Sequence, residues 1–317
     1  MGAMRAIKQY RFGPPEVLQI SELPDLSPGP GQLLVDVTAA GVHLLDTKIR
    51  AGETAGPMGL PELPMVPGRE VSGIVGAIGA GVSSAWLGQR VVAHLGMASG
   101  GYAEQAVVPA ERAYRIPDGL GFEEAVAAIG TGRTAAGILD QAPIRPDDVV
   151  VVTAAAGGLG VLLVQAARGA GAHVTGLAGG PAKAHLVGSL GADRSVDYLA
   201  EGWIDHLTAP TLVFDSVGGP VGHELYARLV PGGRLVRYGW SAGQQNDYAD
   251  PRRPVLDVLG PAIMNNLARL ERDALAAAAD GSRVPLVTTY GLGEAAQAHC
   301  ALESRGTTGK VVLLTAE

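Results

Sequence analysis

Cysteine is nearly absent from this 317-residue chain: Cys300 is the only one. That excludes an internal disulfide and any multi-cysteine zinc site. Runs of lysine or arginine are missing too, and the formal net charge is -7. Both argue against a nucleic-acid surface. No apolar run approaches membrane-spanning length and no signal-peptide pattern is visible, so a cytoplasmic protein off the membrane is expected. Charged residues make up only 17%, whereas hydrophobic residues make up 47%. That balance is globular, and the length suffices for two domains with their own cores.

What is present divides by texture. Up to about residue 120, short alternating stretches at 5–10, 18–22, 32–40, 71–78, 89–92 and 102–108 are separated by glycine and proline turns, as in 28–31 and 79–81. They predict an all-β unit, a partly open barrel, with a helical turn at 43–50. After residue 121 comes a helical stretch, 122–139, and then βα alternation. Strands are expected at 149–154, 172–177, 195–196, 211–215 and 233–238. Helices are expected at 158–170, 181–190, 201–207 and 219–229. Such alternation means a parallel, doubly wound sheet. Residues 241–254 are polar and proline-rich, which predicts a loop, and 255–280 reads as helical. A strand at 284–288, a helix at 293–304 and a strand at 310–315 follow. The last strand is expected to return to the N-terminal β unit, making that domain discontinuous.

The densest signal is DDVVVVTAAAGGLG at 147–160. A buried β-branched run ends in small residues, with Ala155, Gly157 and Gly160 at the first, third and sixth places of a dinucleotide fingerprint. Strand, tight turn and helix in that order are its proper context. Small residues let a pyrophosphate approach the N–H groups and positive dipole end of the helix. NAD-binding sheets carry an acid after the second strand to hold the ribose hydroxyls. Here Ala178, Gly179 and Gly180 stand there, with Lys183 one turn on. An acid-free strand end followed by a cation suits a 2′-phosphate, so NADPH is the expected cofactor.

These stretches carry a family resemblance over nearly the whole chain. GVHLLDTKIRAG (41–52), VPGREVSGIV (66–75), GGYAEQAVVP (100–109), TAAAGGLG (153–160), LGADRSVDY (190–198), FDSVGG (214–219) and LESRGTTGKVVL (302–313) resemble the zinc-independent medium-chain dehydrogenase/reductases of the quinone oxidoreductase, or zeta-crystallin-like, group. The resemblance implies an α/β fold: a GroES-like β-barrel domain, 1–120 with 285–317, plus a Rossmann doubly wound parallel sheet domain, 121–284. It also implies NADPH bound between the two, and reduction of a quinone or of the activated double bond of an enone. Carried over by position, Ala156, Gly157, Gly158 and Leu159 cradle the pyrophosphate. Gly179, Lys183 and Tyr198 hold the adenosine phosphate. Thr134 lies by the nicotinamide ribose, Val217, Tyr238 and Gly239 line the nicotinamide pocket, and Arg305 reaches towards the cofactor.

Two positions depart from the family. His43 replaces an asparagine beside nicotinamide and substrate. Two roles stay open for it: proton donation to the reduced substrate, or a hydrogen bond to the cofactor. Lys48 replaces a tyrosine, either steadying an oxyanion or pointing to solvent. His43, Asp46 and Glu70 form a mixed nitrogen and oxygen set, but their spacing resembles the metal-free branch. No metal is therefore expected, and Arg69 and Glu70 read as a structural pair. The apolar strand that usually joins two copies is not evident in 244–283, which puts the usual homodimer in doubt. Enoyl-thioester reduction and NADPH binding without catalysis remain as alternatives.

Overall fold

The computed structural model describes residues 2–53, 59–96 and 99–316. They form two compact units, one of 1–130 with 286–317 and one of 131–285.

In the first unit β1 (Ala3–Gln9) and β2 (Leu18–Pro24) make a hairpin-like pair. The main sheet contains β3 (Gln32–Val42), β4 (Glu70–Ile78), β5 (Arg90–His94), β6 (Gln105–Pro109) and β7 (Ala113–Arg115). In the second unit follow β8 (Val149–Val152), β9 (His173–Ala178), β10 (Arg194–Asp197), β11 (Leu212–Asp215), β12 (Arg234–Arg237) and β13 (Val255–Asp257). The chain then returns with β14 (Val287–Gly291) and β15 (Lys310–Leu314) to the first unit, where β15 lies antiparallel to β3. The first unit's main sheet runs β14-β15-β3-β4-β5-β7, with β6 also on β3. Long β3 has bulges where the register slips at Leu34/Val35 and Val37/Ala39, which let a sheet curl towards a barrel. Val35, Val37, Val71, Val75, Val91 and Leu313 are buried in its core.

The second unit is a Rossmann-like sheet, order β10-β9-β8-β11-β12-β13, parallel throughout. The valines of β8 are fixed on both sides, Val150 opposite Val174 on one and Leu212 on the other. Buried on both faces, they need no alternation of polar residues. The order reverses beside β8, so a crevice opens at the strands' carboxyl ends there. Helix α4, residues Gly158–Gly169, packs Leu163, Val164 and Ala167 onto the sheet.

Two expectations are corrected. Residues 255–257 do not start a helix; they are an edge strand, β13, parallel to β12. Three residues acquire strand geometry from their pairing, not from propensity. The helices come later, Pro261–Met264 and Leu267–Ala279. The segment expected as a helix at 201–207 is a single 3₁₀ turn, Trp203–His206. Among the described residues no helix is long and apolar enough to cross a membrane.

Candidate functional site

Four strand ends meet in a row in the first unit. Because neighbours alternate in direction, β15 begins where β3 ends, β4 begins, and β5 ends. Lys310 opens β15, His43 follows β3, Glu70 opens β4 and His94 closes β5. Glu70 and His94 are direct cross-strand partners. Glu70 is fully buried. One carboxylate oxygen, Oε1, lies 2.6 Å from His43 Nε2, and Oε2 lies 2.9 Å from Lys310 Nζ. Burial alone would push this carboxyl up, but the charges of His43 and Lys310 outweigh it and hold Glu70 well below the ordinary range. Glu70 is therefore an anion at neutral pH.

His43 caps α1 (Leu44–Ala51). Its backbone N–H donates to Asp46 Oδ2 at 2.8 Å, the reciprocal half of a capping box. Asp46 also accepts from Arg69 Nε at 3.3 Å and from the Tyr102 hydroxyl at 3.3 Å. The expected Arg69–Glu70 pair is thus corrected: Arg69 bonds Asp46, while Glu70 serves His43 and Lys310. Asp46 does not join Glu70 in a ligand set; His94, passed over in the sequence, is the third member. Lys48 pairs with Glu53 at 2.8 Å, both side chains half exposed, an arrangement of small energetic weight.

Behind Asp46 the network continues. His299 Nε2 stands 3.1 Å from the Tyr102 hydroxyl, which itself donates to Asp46. His299 therefore donates from Nε2 and is neutral, and burial lowers its pKa to about 4. The unfolded chain takes up a proton near the ordinary value of 6.5, but the folded chain does not until about 4. Stability is thus complete above 6.5 and falls as pH drops between those values, by about 2 kcal/mol at pH 5. His299→Gln should flatten that loss in urea unfolding at pH 7 and pH 5. A cavity of about 150 Å³ touches this network, lined by Gln9, Asp46, Arg50, Met65 and Arg69. That is room on the order of a benzene ring.

One atom each from His43, Glu70 and His94 lie within 4.8 Å of one another, close enough to raise the question of a metal. The Gly96 N–H donates to His94 Nδ1 at 2.9 Å, so the ring hydrogen of His94 sits on Nε2. His43 Nε2 faces a carboxylate at 2.6 Å, and so carries a hydrogen as well. Two ligands on one tetrahedral zinc stand about 3.3 Å apart and offer lone pairs. Here donors stand against a carboxylate, and a metal at this place would have to take the lone pair of each ring nitrogen in place of its hydrogen.

In the second unit the strand ends of β8, β11 and β12 are tied together. Thr153 donates to Asp215 Oδ1 at 3.1 Å, and the N–H groups of Val217 and Gly218 donate to the same oxygen. Burial raises the Asp215 carboxyl, with those bonds opposing. Tyr238, buried and with its phenol pushed up by that burial, reaches the Thr153 carbonyl, and the loop after Gly239 crosses that after Val217. Val217, Tyr238 and Gly239 are therefore brought together. Asp215, which organises them, is visible in FDSVGG yet was not expected as a site residue.

The turn after β8 is tight. Ala154 has a left-handed φ of 46°. A Cβ on Gly160 would stand 2.3 Å from the Ala154 carbonyl, so glycine there is a packing necessity. Helix α4 begins at Gly158 with no side-chain cap from Gly157. Its first N–H groups thus lack a side-chain acceptor, the arrangement that suits an anion. Ala156, Gly157, Gly158 and Leu159 all lie on this turn. At the end of β9 a Cβ on Gly179 would touch the Tyr198 hydroxyl at 3.0 Å. Lys183 is half-buried in the first turn of α5, residues Pro181–Ser189. An acid does reach this place from β10: Asp197 Oδ1 accepts the Gly180 N–H at 2.8 Å and the Leu199 N–H at 3.0 Å. Thr134 sits half-buried at the start of α3 (Arg133–Gln141), and Arg305 in an exposed turn of the first unit with φ 57°.

A curled β unit that takes back its last strand, joined to a parallel doubly wound sheet, is the architecture of the medium-chain dehydrogenase/reductases. Residues 29–118 match the family described as alcohol dehydrogenase GroES-like domain, and 190–313 match that described as zinc-binding dehydrogenase. A 2-haloacrylate reductase of a Burkholderia species is 32% identical over 96% of this chain and 97% of its own length. The quinone oxidoreductase of Sus scrofa is 32% identical over 98% of both. Among solved structures, Escherichia coli quinone oxidoreductase complexed with NADPH is 29% identical over 98% of this chain and 99% of its own, with a TM-score of 0.83. One described as an NAD-dependent alcohol dehydrogenase is 30% identical over 99% and 100%, with a TM-score of 0.86. The chain belongs to the quinone oxidoreductase family of the medium-chain dehydrogenase/reductases, and it is an oxidoreductase.

Proposed function

We propose that the protein is a metal-free reductase that delivers hydride from NADPH to a quinone or to the activated double bond of an enone. The observation that carries this reading is the glycine-lined end of β9. Gly179 lies against Tyr198, and Lys183 follows one turn into α5, while Asp197 at the end of β10 accepts from backbone N–H groups. Room and a cation there favour a 2′-phosphate over a bare ribose. The uncapped start of α4 suits the pyrophosphate. The relatives named for quinone and haloacrylate reduction support an electrophilic acceptor.

When bound, NADPH supplies the hydride. The chain's own residues then do two things. Those at the ends of β8, β11 and β12 orient the nicotinamide, and Thr134 lies by its ribose. His43 gives a proton to the oxygen or carbon that has taken up negative charge. Such a reduction makes no alkoxide from an alcohol, so it needs no Lewis acid.

The test is a spectrophotometric comparison of NADPH and NADH across quinones, enones and acyl thioesters. Oxidation of NADPH by a quinone or enone is expected; no oxidation with any acceptor would sink the reading. Lys183→Glu should raise the KM for NADPH by roughly ten- to a hundredfold, the worth of one charge-assisted contact, and leave that for NADH nearly unchanged. Equal changes for both cofactors would remove Lys183 from the phosphate site.

A further inference from the structure

We propose that Glu70, oriented by Lys310, is a positioning residue that dictates which nitrogen of His43 handles the proton. This rests on His43 as proton donor, and it deepens that role. A carboxylate only accepts hydrogen bonds. With Glu70 ionised and 2.6 Å from Nε2, that nitrogen must keep its hydrogen. Nδ1 is then the one ring atom left to exchange.

The surroundings hold Glu70 to this task. Its second oxygen is occupied by the Lys310 ammonium at 2.9 Å, a group that can only donate. Backbone walls it on two sides. A Cβ on Gly41 would stand 2.2 Å from Oε2, and one on Gly130 would stand 1.4 Å from Oε1. His94, fixed by the Gly96 N–H, adds a second ring to the cluster. His43 reaches solvent, at 22% exposure against 0% for Glu70, and His94 is likewise only partly buried.

The step balances. Hydride arrival places an electron pair on the acceptor's carbonyl oxygen. The Nδ1–H bond of the protonated ring breaks and its electrons stay on Nδ1, while the oxygen takes the proton. The ring is left neutral with its hydrogen on Nε2, against Glu70, and water restores the lost proton at the exposed side.

Glu70→Gln tests this. Glutamine can present either oxygen or N–H₂ to His43. Because Lys310 only donates, the amide oxygen must face Lys310, and the amide nitrogen must face His43. His43 Nε2 is then forced to accept, and the neutral ring flips to its Nδ1–H form. ¹⁵N NMR of the ring should show Nε2–H in the wild type and Nδ1–H in Glu70→Gln. The kcat should fall at least about tenfold, with the KM for NADPH within about twofold. Adding Lys310→Met frees the amide to turn, and should restore both the Nε2–H form and part of the turnover. A wild-type ring in the Nδ1–H form overturns the proposal even if no variant folds. So does an unchanged tautomer in Glu70→Gln. A wild type that fails to oxidise NADPH with every acceptor tried overturns the reductase reading instead, and leaves the tautomer result standing.

Discussion

His43→Ala should lower turnover well over tenfold while NADPH still binds. General acids contribute on the order of a hundredfold or more when they meet charge as it forms. Water can replace such a donor only without its positioning, so a residual rate is expected. Alanine leaves Glu70 without the partner at 2.6 Å, but Lys310 stays at 2.9 Å and the anion keeps one cation. Gross unfolding is therefore not the expected cause of the loss. The helix cap also survives, because the bond to Asp46 Oδ2 comes from the backbone N–H of residue 43. Fluorescence titration of NADPH and steady-state kinetics separate the outcomes. Unchanged turnover would leave His43 as a cofactor or structural contact only. A matching loss of NADPH affinity would place it on the cofactor side.

Why was His43 legible and its partner not? Histidine stood out as a departure in a motif whose neighbours matched. The valines of β8 and the glycines after them were legible for a similar reason, since local sequence dictates a buried strand and a tight turn. Glu70 was given the wrong partner because Arg69 is adjacent in sequence. Successive side chains of an extended segment point to opposite faces, so adjacency argued against that pair. The true partners come from register. Lys310 arrives with the last strand, one step beyond the Val311–Val42 pair, and His94 by pairing directly across from Glu70. No local pattern announces either. Strand 255–257 was lost for a related reason, as its geometry comes from β12 while its neighbours favour helix. Asp197 also escaped notice: it is on β10, yet its carboxylate serves the turn after β9.

Gly130→Ala should strongly destabilise the first unit. Residues 122–139 read as one helix, but glycines at 130 and 132 interrupt it. The structure places a π segment, Ala128–Gly132, between two α-helices. Such bulges occur where side-chain needs override the helical ladder. Here the need is room for a carboxylate. A Cβ at residue 130 would stand 1.4 Å from Glu70 Oε1 and 3.2 Å from His43 Cε1. Glu70 is fully buried and cannot swing out to water. Either the segment shifts, at an overpacking cost of about 1–3 kcal/mol, or Glu70 is driven off both His43 and Lys310 and stands as an uncompensated buried charge, which costs about 3–5 kcal/mol. A loss of about 3–4 kcal/mol corresponds to a fall in Tm of roughly 6–16 °C for a unit of this size. Gly169→Ala is the control, because a Cβ there meets nothing within 4 Å and lies at the end of α4. It should leave Tm unchanged or raise it slightly. If Gly130→Ala melts with the control, the carboxylate is free to move, and the wall that holds Glu70 against His43 does not exist.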